Sequence, residues 1–221
     1  MPRLPFRPAH LLFFALLGVS CFALGLWLAF SRQAVPVAWL AELHDPLLEP
    51  MAAGQLTLQR LREQAPGGEL WVQREGERIV LSYRARLAAA DISLGLQGKL
   101  QLDDKERAGL AQASGVDDSP KLLADTLIQA MSARQLVDMI LMPAEPVEAR
   151  DLVASLGEPR MRYALGQGEG WFYPQRGMTL LVRDGALSWL RITPRAALGD
   201  VRGKELSTAA PARLQPAAER R

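Results

Sequence analysis

The chain has 221 residues, 49% apolar and 23% charged, with a formal net charge of +2. That composition excludes global disorder, and the small surplus of arginine, scattered among Asp and Glu without interleaved aromatics, excludes a nucleic-acid surface. A single cysteine, Cys21, rules out an internal disulfide, and with only His10 and His44 beside it there is no ligand set for a structural zinc site.

Leu11 to Phe30 reads LLFFALLGVSCFALGLWLAF, twenty residues without a charge. At about 1.5 Å per residue a helix of that length spans roughly 30 Å, the thickness of a hydrocarbon core. Arg3, Arg7 and the terminal amine precede it, with His10 at its edge, and Arg32 follows. The positive-inside rule then makes residues 1–10 cytoplasmic and 11–30 a transmembrane helix, and sends the remainder to the periplasm, with Trp27 and Trp39 at the far interface. A cleaved signal peptide has a shorter core, about 7–15 residues, and Ala29-Phe30-Ser31 is a poor exit site. Gly18-Val19-Ser20-Cys21 imitates a lipobox, but Gly18 stands where Leu is usual and the residues after Cys21 stay apolar to Phe30. Cys21 reads as a small apolar residue of the helix.

Residues 31–65 form a juxtamembrane connector and helix. Asp45-Pro46 suits a helix start, Pro50 disturbs it, and propensity favours a helix over Met51 to Gln64. The breakers Ala65-Pro66-Gly67-Gly68 end it. Residues 66–142 read as an α+β unit. Leu70-Trp71-Val72 leads to a turn at Glu75-Gly76. Ile79, Leu81 and Tyr83 alternate with Val80, Ser82 and Arg84 at strand period, and Ile92, Leu94 and Leu96 repeat the pattern. Gln97-Gly98 is the expected site of a reversal before Leu100 and Leu102. Asp103-Asp104 caps a helix over Lys105 to Ala113, closed by Gly115. Ser119 and Pro120 then open a longer helix reaching Leu141, stopped by Pro143. Leu123, Leu127, Ala130, Val137 and Leu141 share its core face, which Arg134 interrupts.

Residues 143–198 form a second α+β unit. Ala149, Leu152, Val153 and Leu156 have the spacing of an amphipathic helix, and Gly157 and Pro159 end it. Trp171-Phe172-Tyr173 begins strand-like sequence. Met178 to Val182 and Ala186 to Ile192 flank Asp184-Gly185, the strongest short hairpin signal. Residues 199–221, rich in Ala, Arg and Pro, read as a disordered tail. The expected fold is therefore α+β: one N-terminal transmembrane helix, then antiparallel hairpins packed with helices in two small units.

No nucleophile elbow, paired zinc histidines, phosphate loop or dinucleotide fingerprint is present. Gly166, Gly168 and Gly170 alternate but open a strand, whereas a phosphate cradle needs glycines before a helix N-terminus. Asp103-Asp104 and Asp117-Asp118 are explained by helix capping and lack the alternating oxygen donors of a calcium loop. His44 beside Asp45 has no nucleophile placed by any motif. The sequence thus assigns no catalytic, cofactor-binding or metal residues. Its candidate interaction surface is the aromatic set Trp171, Phe172, Tyr173 and Trp189. These serve as interface anchors if exposed, or as the core of a small sheet, the role that aromatic burial favours.

The helix, Leu156-Gly157-Glu158-Pro159, Trp171-Phe172-Tyr173 and the Asp-Gly hairpin together resemble the BamE/SmpA/OmlA-type small periplasmic domain over residues 146–192, about a fifth of the chain. The resemblance implies a protein-interaction or scaffolding module of the bacterial envelope. This chain differs in having an apolar helix in place of a lipobox and an additional unit before the module. The expected role is that of a non-enzymatic, inner-membrane-anchored protein with cell-envelope proteins as partners. The alternative is a carrier or sensor holding an apolar envelope ligand between the 120–141 helix and the sheet. A weak internal echo accompanies this. Gly68-Glu69-Leu70-Trp71 with Gly76 and Ile79 to Leu81 parallels Gly168-Glu169-Gly170-Trp171 with Gly177 and Thr179 to Leu181, allowing one inserted residue.

Overall fold

The computed structural model describes residues 8–30, 33–114 and 119–200. Helix α1 runs Pro8–Phe30, and its described side chains, at 14 and 16–27, are exposed. Among the described residues no helix is both long and apolar enough to cross a membrane. At side-chain level the rest of the expected 11–30 span lies outside the described residues, as does all of the expected tail beyond 200.

After α1 the chain docks at once. The Val35 amide donates to Asp151 Oδ1 at 3.0 Å and the Val37 amide to Ser155 Oγ at 2.6 Å. Helix α2 (Ala38–Glu42), a π-helical turn (His44–Leu48) and α3 (Glu49–Ala52) follow without a break. Pro46 and Pro50 each lack an N–H, and each ring crowds the turn before it. The wider ladder, with Leu48 N donating to Leu43 O at 2.9 Å, accommodates them. Leu40, Leu43, Leu47, Leu48 and Met51 are buried along this stretch. Trp39 is only 2% exposed, so it is a core residue and does not occupy the interfacial position expected for it. The expected helix over Met51 to Gln64 is divided. Gly54, at φ +72°, ends α3, and Thr57 caps α4 (Leu58–Gln64), its Oγ1 accepting from Arg60 N.

Nine strands among the described residues form one antiparallel sheet. They are β1 (Glu69–Glu75), β2 (Arg78–Ala89), β3 (Ile92–Leu100), β4 (Lys121–Leu122), β5 (Leu136–Pro143), β6 (Met161–Leu165), β7 (Gly168–Tyr173), β8 (Met178–Arg183) and β9 (Ala186–Ile192). Their order is β4-β1-β2-β3-β5-β9-β8-β7-β6. Three further α-helices, α5 (Asp104–Ser114), α6 (Asp125–Ala130) and α7 (Ala149–Leu156), and two 3-10 turns, Pro174–Arg176 and Arg195–Asp200, accompany the sheet. At the start of α5, Asp103 and Glu106 form a reciprocal capping box: Glu106 N donates to Asp103 Oδ1 at 2.7 Å, and Asp103 N to Glu106 Oε2 at 2.9 Å.

Three expectations are corrected. Gln97-Gly98 does not reverse the chain but lies inside β3. Strand β3 is entered instead by a reversal at Ala90-Asp91, where Ala90 has φ +47°, and runs on through Leu100. Gly98 belongs in the strand because Leu136 fills the space a side chain would occupy, a Cβ there falling 2.5 Å from Leu136 Cδ2. The helix expected from 120 to 141 is replaced by β4, the six-residue α6, and β5. In β5, Asp138, Met139, Ile140 and Leu141 are all buried, and a strand covered on both faces loses its alternation, so its apolar run can be mistaken for helical sequence. Finally, the two expected units share one sheet. Strand β5 pairs with β3 on one side and, through Met139↔Ile192, Ile140↔Arg191 and Leu141↔Leu190, with β9 on the other. One contiguous core, from Trp39 to Ile192, runs beneath both halves.

The internal echo acquires a structural counterpart. Strands β1 and β7 hold matching second-from-edge places, and Trp71 Nε1 donates to Glu69 Oε2 at 3.2 Å as Trp171 Nε1 does to Glu169 Oε2 at 3.0 Å. The two tryptophans nevertheless face opposite sides of the sheet. Strand β7 begins at Gly168, which has φ +140°, and a Cβ there would come within 2.3 Å of Val182 O. Gly168→Ala is therefore expected to cost about 1–3 kcal/mol, read as a lowered urea midpoint at unchanged slope.

Candidate interaction surface

Strand alternation sorts the side chains of this sheet onto two faces. One face carries Leu70, Val72, Leu81, Tyr83, Leu94, Leu96, Met139, Leu141, Leu180, Leu190 and Ile192, which join the buried residues of α2, α3, α4 and α7 in the single core. The other face carries Trp71, Gln73, Glu75, Ser82, Arg84, Gln97, Lys99 and Asp138, followed across β9, β8, β7 and β6 by Arg191, Trp189, Thr179, Leu181, Phe172 and Tyr163. Ile140 and Leu181 on this face are buried yet stand apart from the core cluster.

The half of this second face built from β1, β2, β3 and β5 is polar. The Arg84 guanidinium lies 5.2 Å from the Trp71 ring centroid and donates to Gln73 Oε1 at 2.6 Å. Gln73 Nε2 donates to Glu75 Oε1, and Lys99 Nζ to Glu75 Oε2, each at 2.8 Å. Burial pushes the Glu75 carboxyl up, but the Lys99 ammonium and the Gln73 amide together hold it below its ordinary value. Burial also lowers the Arg84 pKa, an effect that the charge of Glu75 opposes. The ladder ends on Asp138, 4% exposed. Arg191 Nε donates to its Oδ1 at 2.9 Å, and a second guanidinium nitrogen stands 2.8 Å from Oδ2. Desolvation raises the Asp138 carboxyl above its ordinary value even so, with Arg191 opposing the rise.

The half built from β9, β8, β7 and β6 is aromatic and apolar. Phe172, Trp189 and Tyr163 are half-buried there around Leu181. Gly170 is required for this packing: a Cβ at that position would stand 2.2 Å from the Tyr163 ring. Burial raises the Tyr163 phenol pKa.

The four aromatics singled out from sequence therefore do not form one cluster. Trp171, 4% exposed, and Tyr173, 5% exposed, point into the core, and Phe172 and Trp189 point to the opposite face. Tyr173 OH donates to Gly157 O at 3.0 Å, tying the strand to the break after α7, and burial pushes its phenol up to about 12. The Arg162 guanidinium lies 4.4 Å from the Trp171 ring centroid. Tyr163 and Leu181, which complete the half-buried aromatic patch, carry no such signal in the sequence. Strand β6 is a five-residue edge strand with no marked alternation, and only the tight Gly166-Gln167 link signals its hairpin.

His44 and Asp45 are exposed and paired, Nδ1 to Oδ1, at 2.7 Å. Ser155 lines a surface groove together with them, but its hydroxyl donates to Asp151 O at 2.8 Å and accepts from Val37 N. The three residues are thus not aligned for nucleophilic chemistry. Among the described residues no three of His, Cys, Asp and Glu converge on a metal-binding point. The apolar-ligand site imagined between a 120–141 helix and the sheet has lost its helical wall. No family model, curated protein or solved structure matches the chain.

Proposed function

We propose that the protein is a non-enzymatic scaffold of the bacterial envelope, held in the inner membrane by α1, whose periplasmic sheet–helix domain binds other envelope proteins. The observation that carries this reading is where apolar surface is exposed. Of twelve large apolar side chains exposed among the described residues, eight belong to α1: Phe14, Leu16, Leu17, Val19, Phe22, Leu24, Leu26 and Trp27. Contiguous apolar exposure on that scale marks contact with a membrane or a partner, and the uncharged run from Leu11 to Phe30 favours the membrane. The half-buried Phe172, Trp189 and Tyr163 patch has the composition of a protein-binding hot spot. The likeness to BamE-type modules, carried by α7, its Leu156-Gly157-Glu158-Pro159 break and the aromatic strand, supports the same role.

The test is crosslinking of the full chain in cells. Phe172→Ser combined with Trp189→Ser is expected to reduce the recovered envelope partner at least about tenfold, the loss typical of hot-spot removal, at unchanged protein level. Recovery of no envelope partner above background, or of the same partner undiminished by the double substitution, overturns the assignment.

A further inference from the structure

The membrane-facing side of the domain follows from chain length. Phe30 ends α1, and Val35 is already bonded to Asp151 on α7. Five residues reach at most about 18 Å. If α1 is the anchor, the surface shared by α2 and α7 lies against the bilayer headgroups.

That surface is a groove of about 470 Å³. Leu40, Leu48, Leu156 and Met178 form its floor, and His44 and Arg176 stand among its polar lining residues. A second hollow of about 410 Å³ continues it, sharing Leu156 and Arg176 and adding Arg160. Charge distinguishes the place. In the same half of the molecule Arg150, Arg162, Arg191 and Arg195 each pair with a carboxylate, and Arg183, away from the groove, donates to Gln167 O and Oε1. Arg160 and Arg176, both exposed, form no ion pair among the described residues. The acids of the two hollows, Asp45 and Glu158, are already bound by His44 and Arg162.

We propose that this groove seats the headgroup of an anionic phospholipid, with Arg160 and Arg176 on its phosphate and the apolar floor beneath the first carbons of its chains. The inference rests on the anchor reading and names the ligand of the anchored domain. An apolar groove beside two uncompensated guanidinium groups, within reach of the end of a membrane helix, matches an anionic amphiphile better than a soluble anion, which has no use for the floor.

The experiment uses the full chain in two steps. Flotation with phosphatidylcholine vesicles comes first, and a chain left at the bottom of the gradient overturns the anchor and the groove together. For a chain that floats, the lipids retained from nanodiscs of equal phosphatidylglycerol and phosphatidylcholine are counted by native mass spectrometry. The wild type is expected to enrich phosphatidylglycerol about fivefold or more, the effect of one or two surface cations. Arg160→Glu with Arg176→Glu is expected to abolish that enrichment and the hydrogen-exchange protection of residues 36–48 that accompanies it. Both side chains are exposed, so circular dichroism should show an intact fold. Equal retention of the two lipids by the wild type, or enrichment unchanged by the double substitution, overturns the groove and leaves the anchor standing.

Discussion

Replacing Arg191 by Met is expected to lower the unfolding free energy by about 3–5 kcal/mol at neutral pH, the cost of leaving a buried charge without its partner. Asp138 is 4% exposed, and Arg191 is the cation that meets both of its oxygens. The pair sits at the seam where β5 meets β9, a junction of three residue pairs that joins the two halves of the sheet. The penalty should depend on pH in a defined direction. Burial holds the folded-state pKa of Asp138 above its ordinary value of 3.8, so the folded protein binds this proton more tightly than the unfolded chain. Asp138 therefore favours folding increasingly as pH falls through its raised folded pKa toward 3.8, and it loses that contribution as pH rises. Without Arg191 the carboxyl is raised further, and protonation removes the bare charge. Urea denaturation of wild type and variant at neutral and mildly acidic pH reads the difference. A penalty that grows on acidification contradicts this account of the seam.

Tyr83→Ala is expected to cost about 3–5 kcal/mol, the range for deleting a buried aromatic, and Tyr83→Phe about 1–3 kcal/mol. Tyr83 is fully buried. Its hydroxyl donates to Ala65 O at 2.7 Å and accepts from Gly68 N at 3.0 Å, satisfying two backbone groups that the end of α4 would otherwise leave unpaired. The ring also packs beneath Gly68, where a Cβ would fall 2.3 Å from Tyr83 Cζ. The Phe variant separates the polar part of the loss from the packing part. If calorimetry shows Tyr83→Phe to be neutral, water is replacing the hydroxyl, and the breaker segment 65–68 does not depend on it.

Tyr83 and the Asp138–Arg191 pair hold the molecule together at different levels. Tyr83 ties β2 to the loop before β1 within the N-terminal half, whereas Asp138 and Arg191 hold the N-terminal half to the C-terminal one. The proposed binding patch of Phe172, Trp189 and Tyr163 lies against one side of that seam and the charged ladder against the other. Damage at the seam should therefore disturb partner binding even where every aromatic is intact.

Features set by neighbours in the chain were legible from the residues alone. Asp184-Gly185 closes the β8–β9 hairpin with both residues at positive φ, +52° and +77°, a geometry few other residue pairs adopt readily. The alternation from Ile79 to Tyr83, the cap at Asp103, and the helix over 149–156 with its Gly157 stop (φ +80°) are equally local. Pairing across long stretches of chain was not legible. Strand β5 looks helical because, between β3 and β9, it is buried on both faces and has no polar side to mark its period. Gln97-Gly98 resembles a turn because nothing nearby shows that Leu136 occupies the space above Gly98. The aromatic run 171–173 was visible, but its division between core and open face follows from which residues of β6 and β8 lie opposite. A dihedral preference or a cap belongs to residues that are adjacent in the chain, whereas register and face are fixed only when strands up to about a hundred residues apart, such as β3 and β9 on either side of β5, bury their side chains in one core.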